Sequence, residues 1–154
     1  ILTSGSPILW PDFSLLFAIA RAGADVVADE MCSGTHQLYH PVVVDEWTTR
    51  GLIRAGADRV ILPCTCPCFA DNQGRTDRLR QLIGQYGIQG VLLHTLRLCQ
   101  IYDMEVAPLQ QQLQAWQLPN LAVRTDLGSG DTAALQNRIE AFVELVSATL
   151  PPKT

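Results

Sequence analysis

Apolar positions alternate along the chain between short runs and helical spacings. Ile1–Thr3 reads as a strand, closed by the turn residues Gly5-Ser6-Pro7. Phe13, Leu16, Phe17 and Ala20 recur at i, i+3, i+4 and i+7, which predicts an amphipathic helix capped by Asp12 and stopped at Gly23. Asp25–Ala28 reads as a short buried strand, and Val42–Ala57 as a helix interrupted by Gly51 and Gly56. Val60–Leu62 is an apolar run held extended by Pro63. Leu79, Leu82, Ile83 and Tyr86 mark the next helix, from Asn72–Gly74 to Gly87. Gly90–His94 follows as a strand, Met104–Trp116 as a Gln-rich helix carrying Pro108, and Leu121–Thr125 as the last strand. Asp131 caps the clearest helix, with Leu135, Ile139, Phe142, Val143, Val146 and Leu150 on one stripe before Pro151-Pro152.

Strands alternating with helices define an α/β class. The expected architecture is an open, mainly parallel sheet of four to five strands with helices on both faces, flavodoxin-like or Rossmann-like. The strands are too few for a closed eight-stranded barrel. The 154 residues suit a single domain, 1–154. The chain opens at Ile1 inside an apolar run and carries only 17% charged residues, so the expectation is a domain cut from a longer protein.

Charge and hydropathy then exclude classes. The net charge is -4 with 11 basic residues and no basic cluster, which argues against a nucleic-acid surface. No apolar run approaches the roughly 18 residues a membrane span needs. No signal-peptide pattern precedes the domain, so the expected compartment is the reducing cytoplasm.

The cysteines carry the chemistry. There are five, an odd number, at positions 32, 64, 66, 68 and 99. Buried cysteine acting as a small hydrophobe accounts poorly for Cys64, Cys66 and Cys68, because L-P-C-T-C-P-C-F is a loop with two prolines. Thiolates in such loops select zinc, copper(I) or iron–sulfur centres. On the expected strands, Cys32, Cys64 and Cys99 follow three different strand ends, and open α/β sheets bind ligands outside those carboxyl ends. Single cysteines and a C-x-C-x-C run do not form the paired knuckles of structural zinc, even with His36 and His94 available. Nucleotide fingerprints and a G-x-S-x-G elbow are missing. The D-L-G-S-G-D-T loop reads as a turn with a helix cap rather than an anion site. His94 and Glu105 flank the Cys99 loop as candidate proton donors, with a hydrogen-bonded strand-end histidine as the plainer reading of His94.

These segments resemble a known family. The stretch G-V-L-L-H-T-L-R-L-C-Q-I-Y-D-M-E, followed by N-L-A-V-R-T-D-L-G-S-G-D-T-A-A-L-Q-N-R-I-E-A-F, is similar to the D-component of 2-hydroxyacyl-CoA dehydratases. That superfamily includes benzoyl-CoA reductase subunits and double-cubane cluster proteins. T-S-G-S-P-I, V-V-A-D-E-M-C-S-G-T-H and D-R-V-I-L-P-C-T-C-P agree in order, while Arg124 and Leu127 depart from the usual pattern. The resemblance implies the C-terminal domain of a two-domain protein, with an iron–sulfur cluster, [4Fe-4S] or double cubane, in the cleft against the N-terminal domain. It implies Cys99 as a cluster ligand, and Cys32 and Cys64 as ligands by likeness to the double-cubane branch. It also implies an ATP-dependent iron–sulfur activator protein as electron donor, a homologous subunit or homodimer as partner, and an acyl-CoA or small-molecule substrate. A thiolate metal-binding or electron-carrier module without turnover is the non-enzymatic alternative.

Overall fold

The computed structural model describes residues 1–31, 33–35, 41–61, 66–68, 73–128 and 132–149. Within them the chain runs β1 (Leu2–Gly5), α1 (Ser14–Arg21), β2 (Ala28–Met31), α2 (Thr49–Ile61), α3 (Gln73–Tyr86), β3 (Val91–Leu96), α4 (Gln100–Ala115), β4 (Asn120–Thr125) and α5 (Thr132–Ala148). The four strands form one parallel sheet in the order β2-β1-β3-β4. The expected open α/β fold is therefore present.

Side-chain alternation along the central strands builds two cores. Ile1, Leu92 and Val123 face α1 and α5, where Leu15, Ile19, Ile139, Phe142 and Val146 close one layer. Leu2, Val91 and Leu93 face α3 and α4, where Leu79, Leu82, Leu109 and Leu113 close the other. A central parallel strand is buried on both sides, which is why β3 reads V-L-L as a continuous apolar run. Each fully buried Leu, Ile, Val or Phe contributes about 1.5–3 kcal/mol relative to exposure.

Four elements differ from the sequence expectation. Helix α4 begins at Gln100 rather than Met104. The second strand lies at Ala28–Met31 rather than Asp25–Ala28, and it contains the buried carboxylate Glu30. The helix expected at Val42–Ala57 begins instead at Thr49, where the Thr48 hydroxyl accepts the Gly51 N–H at 3.0 Å as an N-terminal cap. The strand expected at Val60–Leu62 is not one: Val60 and Ile61 close α2 and are 59% and 57% exposed, whereas a sheet strand would bury them. Leu62 lies outside the described residues.

Candidate functional site

β1 and β3 are neighbours, but the helices that follow them leave to opposite faces, α1 to one core and α4 to the other. Such a switch point opens a crevice at the carboxyl ends of the strands. At this edge Gly5 has φ 124° and pairs with His94, and a Cβ there would stand 2.0 Å from the His94 carbonyl oxygen. Only glycine allows the two strands to meet this closely. Ser6 continues the junction: its N–H donates to the His94 carbonyl at 2.8 Å, and its hydroxyl accepts the Leu96 N–H at 3.1 Å.

The His94 ring is 3% exposed and occupied on both sides. Nδ1 lies 3.1 Å from the Ser6 carbonyl, and Nε2 lies 2.8 Å from the Thr125 hydroxyl. A carbonyl only accepts, so Nδ1 carries the proton and Nε2 accepts from Thr125. Burial pushes the imidazole below its ordinary pKa, with the Ser6 carbonyl and Asp12 opposing. A neutral histidine thus ties the ends of β1, β3 and β4 together.

Cys99 caps α4 three residues after the end of β3, half-buried and with no side-chain cap hydrogen bond. Leu98, directly before it, is 88% exposed and has φ 71°. A non-glycine residue in this left-handed region stores about 1–2 kcal/mol of strain, and such strain clusters at functional turns. Cys66 and Cys68 bring their sulfurs to 3.3 Å of each other. Cys32, next in sequence after the last residue of β2, and Cys64 lie outside the described residues, as do His36 and Asp131. The placement of Cys64 behind a strand is corrected, since the element preceding its segment is the helix α2. Among the described residues, no group of three His, Cys, Asp or Glu side chains is assembled to hold a metal ion by itself.

A buried charge network adjoins this edge, and the sequence reading missed most of it. Arg75, in the first turn of α3, is 2% exposed. Its Nε lies 3.2 Å from Glu30 of β2, Nη1 lies 3.2 Å from Glu105 of α4, and Nη2 donates to the Ser4 hydroxyl of β1 at 3.1 Å. The Ser4 hydroxyl donates in turn to Glu30 at 3.1 Å, and the Tyr102 ring stacks 5.1 Å from the guanidinium. One planar fork therefore joins two strand ends to the first turns of two helices, a geometry that lysine cannot reproduce. Glu105, expected near the Cys99 loop, is held in this network rather than open to solvent. His94 bonds to Ser6 and Thr125, whereas Glu105 bonds to Arg75.

A groove of about 180 Å³ beside β4 is lined in part by Arg97, Arg124, Asp126, Leu135 and Arg138. Its cations are engaged: Arg97 pairs with Asp126 at 2.8 Å, Arg124 with Asp103 at 2.7 Å, and Arg138 donates to the Ala122 carbonyl at 2.6 Å. No described helix is long and apolar enough to cross a membrane.

Fold and edge together define an open α/β fold that presents a cysteine at the N-cap of α4, beside its switch point. The family model for "2-hydroxyglutaryl-CoA dehydratase, D-component" matches residues 1–146, and the chain belongs to this dehydratase family. Among relatives, "Putative dehydratase subunit YjiM" of Escherichia coli (strain K12) is 29% identical over 147 residues, covering 95% of this chain and 37% of that protein. "(R)-2-hydroxyglutaryl-CoA dehydratase, subunit beta" of Acidaminococcus fermentans is 28% identical over 78 residues, covering 51% of this chain and 20% of that protein. The chain thus spans well under half the length of these relatives.

Proposed function

We propose that this chain forms part of an iron–sulfur enzyme of the 2-hydroxyacyl-CoA dehydratase type and contributes Cys99 as a ligand. The observation that carries this reading is the place of Cys99: a half-buried thiol on the cap of α4, at the switch-point edge of a chain from this family. Its donor chemistry fits, because iron–sulfur clusters are held by cysteine thiolates. It fits as one ligand among several. The others come from Cys32 and Cys64, or from another domain or subunit, and the word "subunit" in the relatives' names supports such a partner.

When bound, a [4Fe-4S] cluster supplies low-potential electron transfer, fed by an ATP-dependent activator protein and spent on an acyl-CoA substrate. The chain's own residues shape the site around it. His94 locks the ends of β1, β3 and β4, and Glu105 holds the first turns of α4 through Arg75. In this reading both enter first as positioning groups, and proton donation by either requires exchange of its present partner for substrate. A second reading has support from the 3.3 Å approach of Cys66 to Cys68. Additional thiolates favour a double-cubane centre acting on a small molecule, or a thiolate metal module.

Anaerobic purification of the full-length protein with iron, labile-sulfide and zinc analysis tests the reading. Stoichiometric iron and sulfide, lost on Cys99→Ser, is the expected result. Stoichiometric zinc without sulfide overturns it.

A further inference from the structure

The Arg75 network, which enters the proposed function only through its bond to Glu105, links four elements of the fold. Its members are placed at the boundaries of the cysteine-bearing segments. Glu30 stands two positions before Cys32, Arg75 seven after Cys68, and Tyr102 and Glu105 three and six after Cys99. The guanidinium touches Ser4, Glu30, Glu105 and Tyr102, so it contacts β1, β2 and α4 while belonging to α3. At 2% exposure for Arg75 and Glu30, these bonds form out of reach of competing water.

We propose that Arg75 is a positioning residue for the metal centre: it holds the first turns of α4, capped by Cys99, in fixed register with the end of β2 and the start of α3. The proposal rests on the reading of Cys99 as a cluster ligand. A clamp at this point matters because α4 starts from a strained turn at Leu98, and Cys99 makes no side-chain cap bond of its own to fix it. Tyr102 and Glu105 lie on the inner stripe of α4, with Leu109 and Leu113. Holding them sets both the rotation and the height of the helix that carries the thiol. Groups that orient metal ligands in this way typically cost about 10–100-fold in metal affinity when removed.

The test separates positioning from bulk stability. Three variants of the full-length protein are compared: Arg75→Met; Glu105→Gln, which leaves the Glu30–Arg75 pair intact and covers the case in which Arg75→Met does not fold; and Ile139→Ala, which weakens the opposite core. In the metal-free protein, the rate of Cys99 alkylation by a maleimide is read by mass spectrometry, with the exposed Cys68 as internal reference. Iron retention is read on the anaerobically loaded protein. The expected result is faster Cys99 labelling and about 10–100-fold weaker iron retention in the two network variants, with neither change in Ile139→Ala. Equal behaviour of all three variants overturns the proposal and leaves Arg75 a stability residue. Wild-type protein that takes up no iron overturns the cluster reading and the metal-positioning role with it; Arg75-dependent Cys99 labelling in that same protein identifies the failure as that of the cluster reading rather than of the clamp.

Discussion

Gly5→Ala tests the tightest point of the sheet edge. The residue sits at φ 124°, and the added methyl would stand 2.0 Å from the His94 carbonyl oxygen and 2.9 Å from its carbon. Positive φ costs an alanine about 1–2 kcal/mol. The clash is with backbone, which cannot rotate aside, so β1 and β3 must part. That parting weakens the Ser6 N–H bond to the His94 carbonyl and the Leu96 N–H bond to the Ser6 hydroxyl. Each is worth about 0.5–1.5 kcal/mol net. Alanine recovers about 0.4–1 kcal/mol by restricting the unfolded chain. The expected loss is about 2–4 kcal/mol, a large share of the 5–15 kcal/mol typical of a domain. Urea unfolding followed by circular dichroism reads it: at a slope of about 2 kcal/mol per M, the midpoint falls by about 1–2 M. An unchanged midpoint would refute the reasoning, because the strand ends would then have room that the geometry denies them.

His94 gives a pH dependence with a definite sign. Its folded pKa lies below the ordinary 6.5, so its contribution is fully present above that value and is lost as pH falls from there toward the folded pKa. The unfolded chain binds the proton first, giving a slope of up to about 1.4 kcal/mol per pH unit; denaturant midpoints from pH 7.5 to 5 should decline in wild type and flatten in His94→Gln. Ile139→Ala, at 0% exposure beneath the sheet, should cost about 2–5 kcal/mol by thermal or urea unfolding. Leu98→Gly should be neutral or stabilising by up to about 1 kcal/mol, since relief of the left-handed strain exceeds the entropic cost of glycine. A substantial destabilisation in the same unfolding assay would show that the turn is not strained.

Much of the fold was readable because period and punctuation agreed. The stripe Ile139, Phe142, Val146 on α5 and the run V-L-L in β3 carry their burial in their spacing. Gly87, at φ 58°, ends α3 where an L-residue would be strained. The failures have local causes. Val60 and Ile61 resemble a strand only if Pro63 is taken to act upstream of its immediate neighbour, whereas the helix from Thr49 continues to Ile61. The helix expected from Val42 begins only at Thr49, because the Thr48 hydroxyl supplies an N-terminal cap there. β2 lies three residues beyond the expected Asp25–Ala28, because a charged A-D-E-M lacks the apolar run of a buried strand.

Glu30, hidden in that strand, leads to the part of the site that periodicity obscures. Arg75 falls in line with Leu79 and Leu82, and Glu105 with Tyr102, Leu109 and Leu113, so each charge occupies the inner stripe of its helix. One charge in a stripe reads as a frayed end. Two opposite charges, near the starts of two helices that cover the same face, read as a pair, and that comparison across elements is the signal available. Stability alone does not account for the arrangement. Taking charges out of water costs several kcal/mol per ion, and apolar residues of similar volume often serve a core as well or better. What an apolar cluster does not supply is direction: a fork bonded to Ser4, Glu30 and Glu105 admits one orientation of α4, whereas leucines slide. The network stands where the thiol-bearing helix begins, and under the proposed role of Cys99 that orientation matters, because a cluster dictates the bond lengths and angles of its ligands.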